Sequence, residues 1–272
     1  MKIDCHNHAE FSPDSSQNIT QLAKRAIEKG ICYLAVTEHM DLGFPLDKCP
    51  EGELIFDYLV TAKYFDEIKK ARALVGDKIE IIAGIEAGYT PNDVELTAKK
   101  LSEFPFEYVI NSVHICHDYD CYWAGYFDGL TKKDAYAEYL QAVRDSLDVP
   151  YAYDAVGHIG YISRPAPYND KALTYGEFAE MLDDILGVII RKEKILEVNS
   201  STGGCGGLFL PDVSIVRRYY ELGDRLINFG SDSHSAERAG DKYDEVAEIV
   251  KNIGFKAWAV KRNGKIVMEG ID

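Results

Sequence analysis

The sequence lacks the features that mark secreted, membrane-spanning and multi-domain proteins. It has neither a basic N-terminal segment followed by a short apolar stretch nor a run of 18 apolar residues, the patterns of signal peptides and membrane helices. No low-complexity linker or break in composition divides its 272 residues, and single barrel domains commonly reach this length. We therefore expect a soluble, cytoplasmic protein with no membrane partner, folded as one domain over residues 1–272.

Cysteine pairs with the spacing of zinc fingers are also missing. The chain has no Cys-x-x-Cys pair, and Cys116 and Cys121, the closest two cysteines, are too far apart for a simple zinc knuckle. Reduced thiols are the default in a chain of this size without a secretion signal. We therefore expect all six cysteines to be structural or incidental. They are Cys5, Cys32, Cys49, Cys116, Cys121 and Cys205.

Positive charge is scarce. The 30 Lys and Arg residues face 45 Asp and Glu residues, which gives a net charge of −15 and a pI near 4.9. A nucleic-acid-binding surface needs a basic patch, and the sequence contains no Lys/Arg run that would form one. We expect no nucleic-acid partner. A small substrate that itself carries some positive charge suits this balance better.

Segments of strand type and helix type alternate along the chain. A short strand ends before His6, and later apolar runs predict strands at residues 31–36, 78–85, 108–113, 154–157, 195–198 and 225–229. Helical patterns lie at residues 19–30, 56–74, 91–102, 132–147, 175–191, 211–222 and 244–253. Residues 41–54 predict a long loop, and an Asn263-Gly264 turn between two β-type runs predicts a terminal hairpin.

This alternation defines the fold class. Strands joined through helices are expected to be parallel, with right-handed crossovers. An open sheet would concentrate its site at one switch point, yet residue types that bind metals follow six of the seven predicted strands. Only a closed ring brings so many strand ends together. The sequence therefore predicts an α/β barrel of seven strand–helix units with the site at the C-terminal ends of the strands.

The metal-binding candidates begin with His6 and His8 in the opening stretch. Residues i and i+2 of an extended backbone point to the same side, so both imidazoles can reach one ion. Six of the seven histidines lie within a few residues of a predicted strand end, accompanied by three carboxylates. Such nitrogen and oxygen donors suit zinc, manganese or iron. The candidates are His6, His8, Asp14, His39, Glu86, His114, His158, Asp232 and His234.

Nine donors exceed what one or two ions need. If one carboxylate bridges two ions, the set fits three ions with three or four protein ligands each. Such coordination leaves positions open for water and substrate, as a catalytic site requires.

The motifs that carry these residues resemble those of the PHP (polymerase and histidinol phosphatase) family. They are Asp4-x-His6-x-His8 with Asp14, Thr37-Glu38-His39, Gly84-Ile85-Glu86, Ser112-Val113-His114, Gly157-His158 and Ser231-Asp232-Ser233-His234. The motifs run from residue 4 to residue 234 in the family's order. By its length, and by the Arg164 that follows His158, the chain looks most like the stand-alone histidinol-phosphate phosphatases of the family.

The resemblance implies a distorted (β/α)7 barrel, similar to a TIM barrel, with a centre of three divalent ions. It assigns His6, His8, Glu86 and Asp232 to the first ion, Glu86, His114 and His158 to the second, and Asp14, His39 and His234 to the third. Asp14 stands where many members have histidine, and Glu38 stands where aspartate is commoner. Both departures leave the ligand set complete.

The implied reaction is hydrolysis of L-histidinol phosphate in histidine biosynthesis. We hypothesise that a hydroxide bridging the first two ions, which Glu86 also bridges, attacks phosphorus while the ions and Arg164 hold the phosphate oxygens. Asp232 or a metal-bound water would protonate the leaving group. Asn199 and His117 are candidate substrate contacts. Asn199 would equally suit a turn, and His117 would equally suit an exposed loop.

Several alternatives remain open at this stage. The chain could act on another small phosphomonoester such as a nucleotide or sugar phosphate, serve as a non-catalytic module, or be a nuclease. The complete ligand set argues against the second and the acidic balance against the third. Aromatic residues between Tyr119 and Phe127 suit either an imidazole pocket or core packing. We expect a monomer or a weak homo-oligomer.

Overall fold

A computed structural model describes residues 1–43, 62–117 and 119–271 of the chain. Its strands are β1 (Lys2–Asp4), β2 (Ile31–Met40), β3 (Glu80–Gly88), β4 (Tyr108–Ser112), β5 (Ile115–Cys116), β6 (Tyr119–Asp120), β7 (Ala155–Val156), β8 (Ile195–Asn199), β9 (Ile227–Gly230), β10 (Ala257–Arg262) and β11 (Lys265–Gly270). Seven of them pair in parallel in the order β1-β2-β3-β4-β7-β8-β9. The predicted succession of parallel strands is confirmed.

Backbone hydrogen bonds close this sheet into a ring. Cys5 N donates to Phe229 O, Asp232 N donates to His6 O, and His8 N donates to Ser233 O, each at 2.8 Å. These bonds join the segment after β1 to the end of β9. The first and last ligand motifs of the sequence therefore lie side by side, as the predicted barrel requires.

The helices α1 (Ile19–Glu28), α2 (Ala62–Val75), α3 (Val94–Ser102), α4 (Lys132–Ser146), α5 (Ala179–Arg191), α6 (Val213–Glu221) and α7 (Tyr243–Ile253) pack around the ring. Helix α6 begins two residues later than predicted because the Asp212 side chain caps it, accepting from Ser214 N at 2.8 Å. Similarly, a short 3-10 turn at Tyr175–Glu177 precedes α5. The expected helix start at residue 56 and most of the expected loop 41–54 lie outside the described residues.

The ligand-bearing segments differ from the prediction in two places. The strand expected to stop at residue 36 continues to Met40, because its ladder with β3 runs on to the pair Met40↔Ala87. Directly after His114 the structure contains the β5–β6 hairpin, with Ile115 opposite Asp120, which the sequence analysis did not predict. Both differences place metal-ligand candidates on or beside regular backbone.

The remaining predictions concern the C-terminus, the thiols and membranes. The terminal hairpin is confirmed as β10–β11, with Asn263 and Gly264 at φ 50° and 74°, the left-handed pair of a type I′ turn. The five described cysteines form no disulfide, and Cys49 lies outside the described residues. Among the helices that the structure describes, none combines the length and apolar character needed to cross a membrane.

The start of α4 gives a test of the local structure. Thr131 caps this helix by accepting a hydrogen bond from Asp134 N at 3.2 Å. We expect Thr131→Ala to lower the free energy of unfolding by about 1 kcal/mol, since a backbone N–H loses its partner. Thr131→Ser keeps the hydroxyl and should recover most of that loss in urea unfolding. Equal stability of the Ala and Ser variants would contradict the capping role.

Candidate metal centre

The nine predicted ligands converge at the C-terminal ends of the strands. His6 and His8 follow β1, His39 lies in β2, and Glu86 lies in β3. His114 follows β4, His158 follows β7, and Asp232 and His234 follow β9, whereas Asp14 lies between β1 and α1. Most of these side chains are buried, but those of Asp14 and His234 are 31% and 29% exposed. The cluster therefore has a buried floor and one open side.

The carboxylate of Glu86 lies at the centre of the cluster. The nearest ring nitrogens of five histidines lie 3.3 Å (His6), 3.5 Å (His8), 2.9 Å (His39), 3.2 Å (His114) and 2.8 Å (His158) from its oxygens. Burial opposes ionisation of Glu86, but the positive charge of the surrounding histidines, when these are protonated, holds its pKa well below the usual range. Its Oε1 faces His114 and His158, and its Oε2 faces the other three rings, an arrangement suited to a carboxylate that bridges two cations.

The tautomers of the histidines indicate that cations belong between them. His6 Nδ1 lies 2.6 Å from Glu197 Oε1, and His8 Nδ1 lies 3.1 Å from Ser12 Oγ. With those nitrogens as N–H donors, both Nε2 atoms carry lone pairs. Yet the two Nε2 atoms lie only 3.1 Å apart. Two facing lone pairs are stabilised at that distance by a shared cation, so the residues fit a metal ion.

The spacing of the donors agrees with metal coordination. Donors about 2.0–2.1 Å from a tetrahedral zinc lie about 3.4 Å from one another. Around the first predicted ion, Asp232 Oδ1 lies 3.8 Å from His6 Nε2 and 3.3 Å from His8 Nε2. Around the second, the Nε2 atoms of His114 and His158 are 3.3 Å apart. Both sets also include Glu86.

The third predicted set lies on the open side. Asp14 Oδ2 is 2.9 Å from His234 Nε2 and 3.6 Å from His39 Nε2, and the two Nε2 atoms are 3.5 Å apart. Overlapping groups such as His8, His39 and His234 also have donor atoms close enough to share an ion. The geometry thus brings all nine predicted ligands together without dividing them uniquely among ions.

Polar side chains behind the ligands fix their orientation, and the sequence interpretation missed most of them. Glu197 accepts from His6 Nδ1 and also from His158 N at 2.7 Å. Asp41 Oδ1 lies 2.7 Å from His114 Nδ1. Ser12 accepts from His8 and donates to Glu38, whose pKa burial raises to about 7. Such partners fix the tautomer of a ligand and increase its basicity.

One of these residues left a signal in the sequence. Glu197 is the only charged residue in the run Ile195–Asn199, which is buried throughout. A carboxylate inside a parallel strand that is covered on both faces needs a polar partner. Asp41 and Ser12 gave no comparable signal, because their contacts depend on how loops fold beside the strands.

Two of the three predicted substrate contacts lie beside the ligand cluster, and the third does not. Arg164 Nη2 donates to Asp232 Oδ2 at 2.8 Å and to Asn199 Oδ1 at 3.2 Å. Its guanidinium carbon lies 4.9 Å from the centre of the Tyr161 ring. Arg164 and Asn199 therefore adjoin the cluster. The structure does not bring His117 to it, because this side chain is 67% exposed and its Nε2 lies 3.9 Å from Glu138.

Comparison with known proteins places the chain in a family. Residues 4–201 match the model of the PHP domain. This match covers more than half of the chain, so the chain belongs to the PHP-domain family. The fold and the donor cluster agree with the sequence motifs on which this resemblance was recognised.

Individual relatives match along nearly their whole lengths. The chain is 32% identical to the histidinol-phosphatase of Lactococcus lactis over 97% of this chain and 96% of the relative. It is 30% identical to the probable histidinol-phosphatase of Clostridium acetobutylicum over 94% and 95%. A crystal structure of the L. lactis histidinol phosphate phosphatase with zinc, L-histidinol and phosphate has a TM-score of 0.87 and 30% identity, with 98% of each chain covered.

The role of Glu197 can be tested through metal content. Its carboxylate accepts hydrogen bonds from His6 Nδ1, His158 N and Asn199 Nδ2. Glu197→Gln would turn an amide NH2 group toward at least one of these donors, so we expect metal affinity to fall by about 10–100-fold. Affinity is measured by competition with a chromogenic chelator.

The matched control is Glu193→Gln, since Glu193 is exposed in the turn that precedes β8. It should retain the affinity of the unsubstituted protein. Unchanged affinity in Glu197→Gln would show that this carboxylate does not orient the ligands.

Proposed function

We propose that this protein is a metal-dependent phosphatase that hydrolyses L-histidinol phosphate to L-histidinol and phosphate in histidine biosynthesis. The observation that carries the proposal is the convergence of nine donor residues, with the Glu86 carboxylate at their centre. The likeness to a histidinol phosphate phosphatase solved with zinc, L-histidinol and phosphate supports the choice of substrate.

We propose that the cluster binds three divalent ions, with zinc, manganese or iron as candidates. His6, His8, Glu86 and Asp232 would hold the first, Glu86, His114 and His158 the second, and Asp14, His39 and His234 the third. When bound, such ions neutralise phosphate charge and lower the pKa of water to about 7, so that hydroxide is available near neutral pH.

Arg164 is the side chain best placed to hold phosphate oxygens. Its side chain is only 9% exposed, and its Nε is buried without a hydrogen-bond partner among the described residues. Because Asp232 and Asn199 both accept from Nη2, they fix the plane of the guanidinium beside the metal ligands. A fixed guanidinium can make two parallel hydrogen bonds to a phosphate. Asn199 would thus act through Arg164.

Asp232 connects the two parts of this arrangement. Its Oδ1 faces His6 and His8, and its Oδ2 accepts from Arg164. With one oxygen committed to a ligand set and the other to the arginine, this carboxylate suits orientation of the phosphate site more than proton donation. A water molecule is then the better source of the proton that the leaving alkoxide takes up.

The proposed function also bears on the cellular compartment, the partners and the oligomeric state of the enzyme. We propose that it works in the cytoplasm, as do enzymes of amino-acid biosynthesis, on a small substrate without nucleic-acid or membrane partners. All nine donors come from one chain, which supports a functional monomer or a weak homo-oligomer.

Steady-state kinetics tests this function. Phosphate release should be at least about 100-fold higher in kcat/KM for L-histidinol phosphate than for a nucleoside monophosphate or a sugar phosphate, because pocket contacts add to the shared phosphate binding. Activity should disappear with a chelator and return with zinc or manganese. Metal content is measured in the same samples.

The outcomes separate the two levels of the proposal. Similar slow rates on every phosphomonoester would contradict the substrate and leave the phosphatase intact. Full activity after the removal of all metal would contradict the metal-dependent reaction itself.

A further inference from the structure

A phosphatase specific for L-histidinol phosphate must recognise more than phosphate. The substrate also carries an imidazole and an ammonium group, and bound divalent ions and Arg164 repel the ammonium group because they are positively charged. Specificity therefore requires an anionic or aromatic surface next to the cluster. The inference below rests on the proposed function.

Tyr161 extends the ligand cluster toward such a surface. Its ring centre lies 5.0 Å from that of His114 and 5.2 Å from that of His158. The centre of the Tyr122 ring is 6.1 Å from that of Tyr161. The two tyrosines therefore form a continuous aromatic wall that begins at the second predicted ion.

Tyr122 differs from the other aromatic residues of its segment. Tyr126 and Phe127 are each 5% exposed and belong to the core, and Tyr119 stacks on Trp123 with ring centres 5.5 Å apart. Tyr122 is 54% exposed. A large ring left open to solvent beside a catalytic cluster is available to a ligand.

Asp120 supplies negative charge at the same place. It pairs with Ile115 in the β5–β6 hairpin, which begins directly after His114, and its Oδ1 accepts from Tyr122 N at 2.7 Å. Its residue is 8% exposed. Burial raises the pKa of the Tyr161 phenol well above its usual range, and the Asp120 carboxylate raises it further, in agreement with their proximity.

We propose that Asp120 and Tyr122 form the subsite for the amino-alcohol end of the substrate. The Asp120 carboxylate pairs with the ammonium group, and the Tyr122 ring packs against the imidazole. A chain of five bonds, spanning at most about 7 Å, separates phosphorus from the imidazole ring. The Tyr161 ring connects His114 to Tyr122, with successive ring centres 5.0 Å and 6.1 Å apart. A substrate with its phosphate at the ions can therefore reach the Tyr122 ring with its imidazole.

A matched pair of substrates tests the role of Asp120. L-histidinol phosphate is compared with 3-(imidazol-4-yl)propyl phosphate, which lacks only the amino group. Asp120→Asn keeps an oxygen that can accept from Tyr122 N but removes the charge. We expect kcat/KM for L-histidinol phosphate to fall by about 30-fold or more, since a buried charge pair is lost. The loss should be at least about tenfold larger than for the amine-free substrate.

Two further variants complete the experiment. Tyr122→Leu removes the stacking surface and should weaken both substrates to a similar degree. Asp128→Asn changes an exposed aspartate of the same segment and is expected to match the unsubstituted enzyme. Metal content and thermal stability are measured for every variant, because a structural role for Asp120 would change them.

The results distinguish this subsite from the proposed function. Equal losses on the two substrates in Asp120→Asn, or no loss on either, would overturn the role of Asp120 in binding the ammonium group. If the unsubstituted enzyme shows no preference for L-histidinol phosphate over unrelated phosphomonoesters, the proposed function fails first, before any variant is considered.

Discussion

The structure depends on one buried carboxylate that meets five imidazole rings. Glu86 is fully buried, and its two oxygens face different groups of histidines. A buried anion is costly unless opposite charge surrounds it, and a bridging position between two cations satisfies that demand on both sides. The rest of the cluster follows from this arrangement, because four of the five histidines direct Nε2 at Glu86 and so share one small volume, whereas His39 faces it through Nδ1 and directs Nε2 at Asp14 and His234.

The ring of strands and the polar side chains behind it hold these histidines in place. Backbone bonds between the segment after β1 and the end of β9 set His6 beside Asp232. Glu197 then links the His6 ring to the backbone of His158, whose own ring faces the other oxygen of Glu86. Even the neighbouring glycine contributes, since a Cβ at Gly230 would lie 2.5 Å from Glu197 Oε1. The positions of the candidate ligands therefore depend on the contacts between β1 and β9 as much as on the ligands themselves.

The sequence predicted which candidate ligands lie together better than it predicted the polar residues behind them. His6, His39, Glu86 and His158 could be identified because strand ends of a barrel meet, whatever the details of packing. Glu197 lies 191 residues from His6, and no periodic pattern connects two side chains at that separation. His117 lies only three residues after His114, but its backbone has φ 49° and its exposed side chain lies beside Glu138, so closeness in sequence does not bring it to the cluster.

Metal stoichiometry of a Glu86 variant tests the central claim most directly. Glu86→Gln keeps the shape of the side chain but removes the charge that two ions would share. Native mass spectrometry should show about two fewer ions per chain than in the unsubstituted protein, whereas Glu95→Gln, at an exposed position of α3, should keep the full number. Retention of the full number of ions by Glu86→Gln would contradict the bridging role on which this account rests.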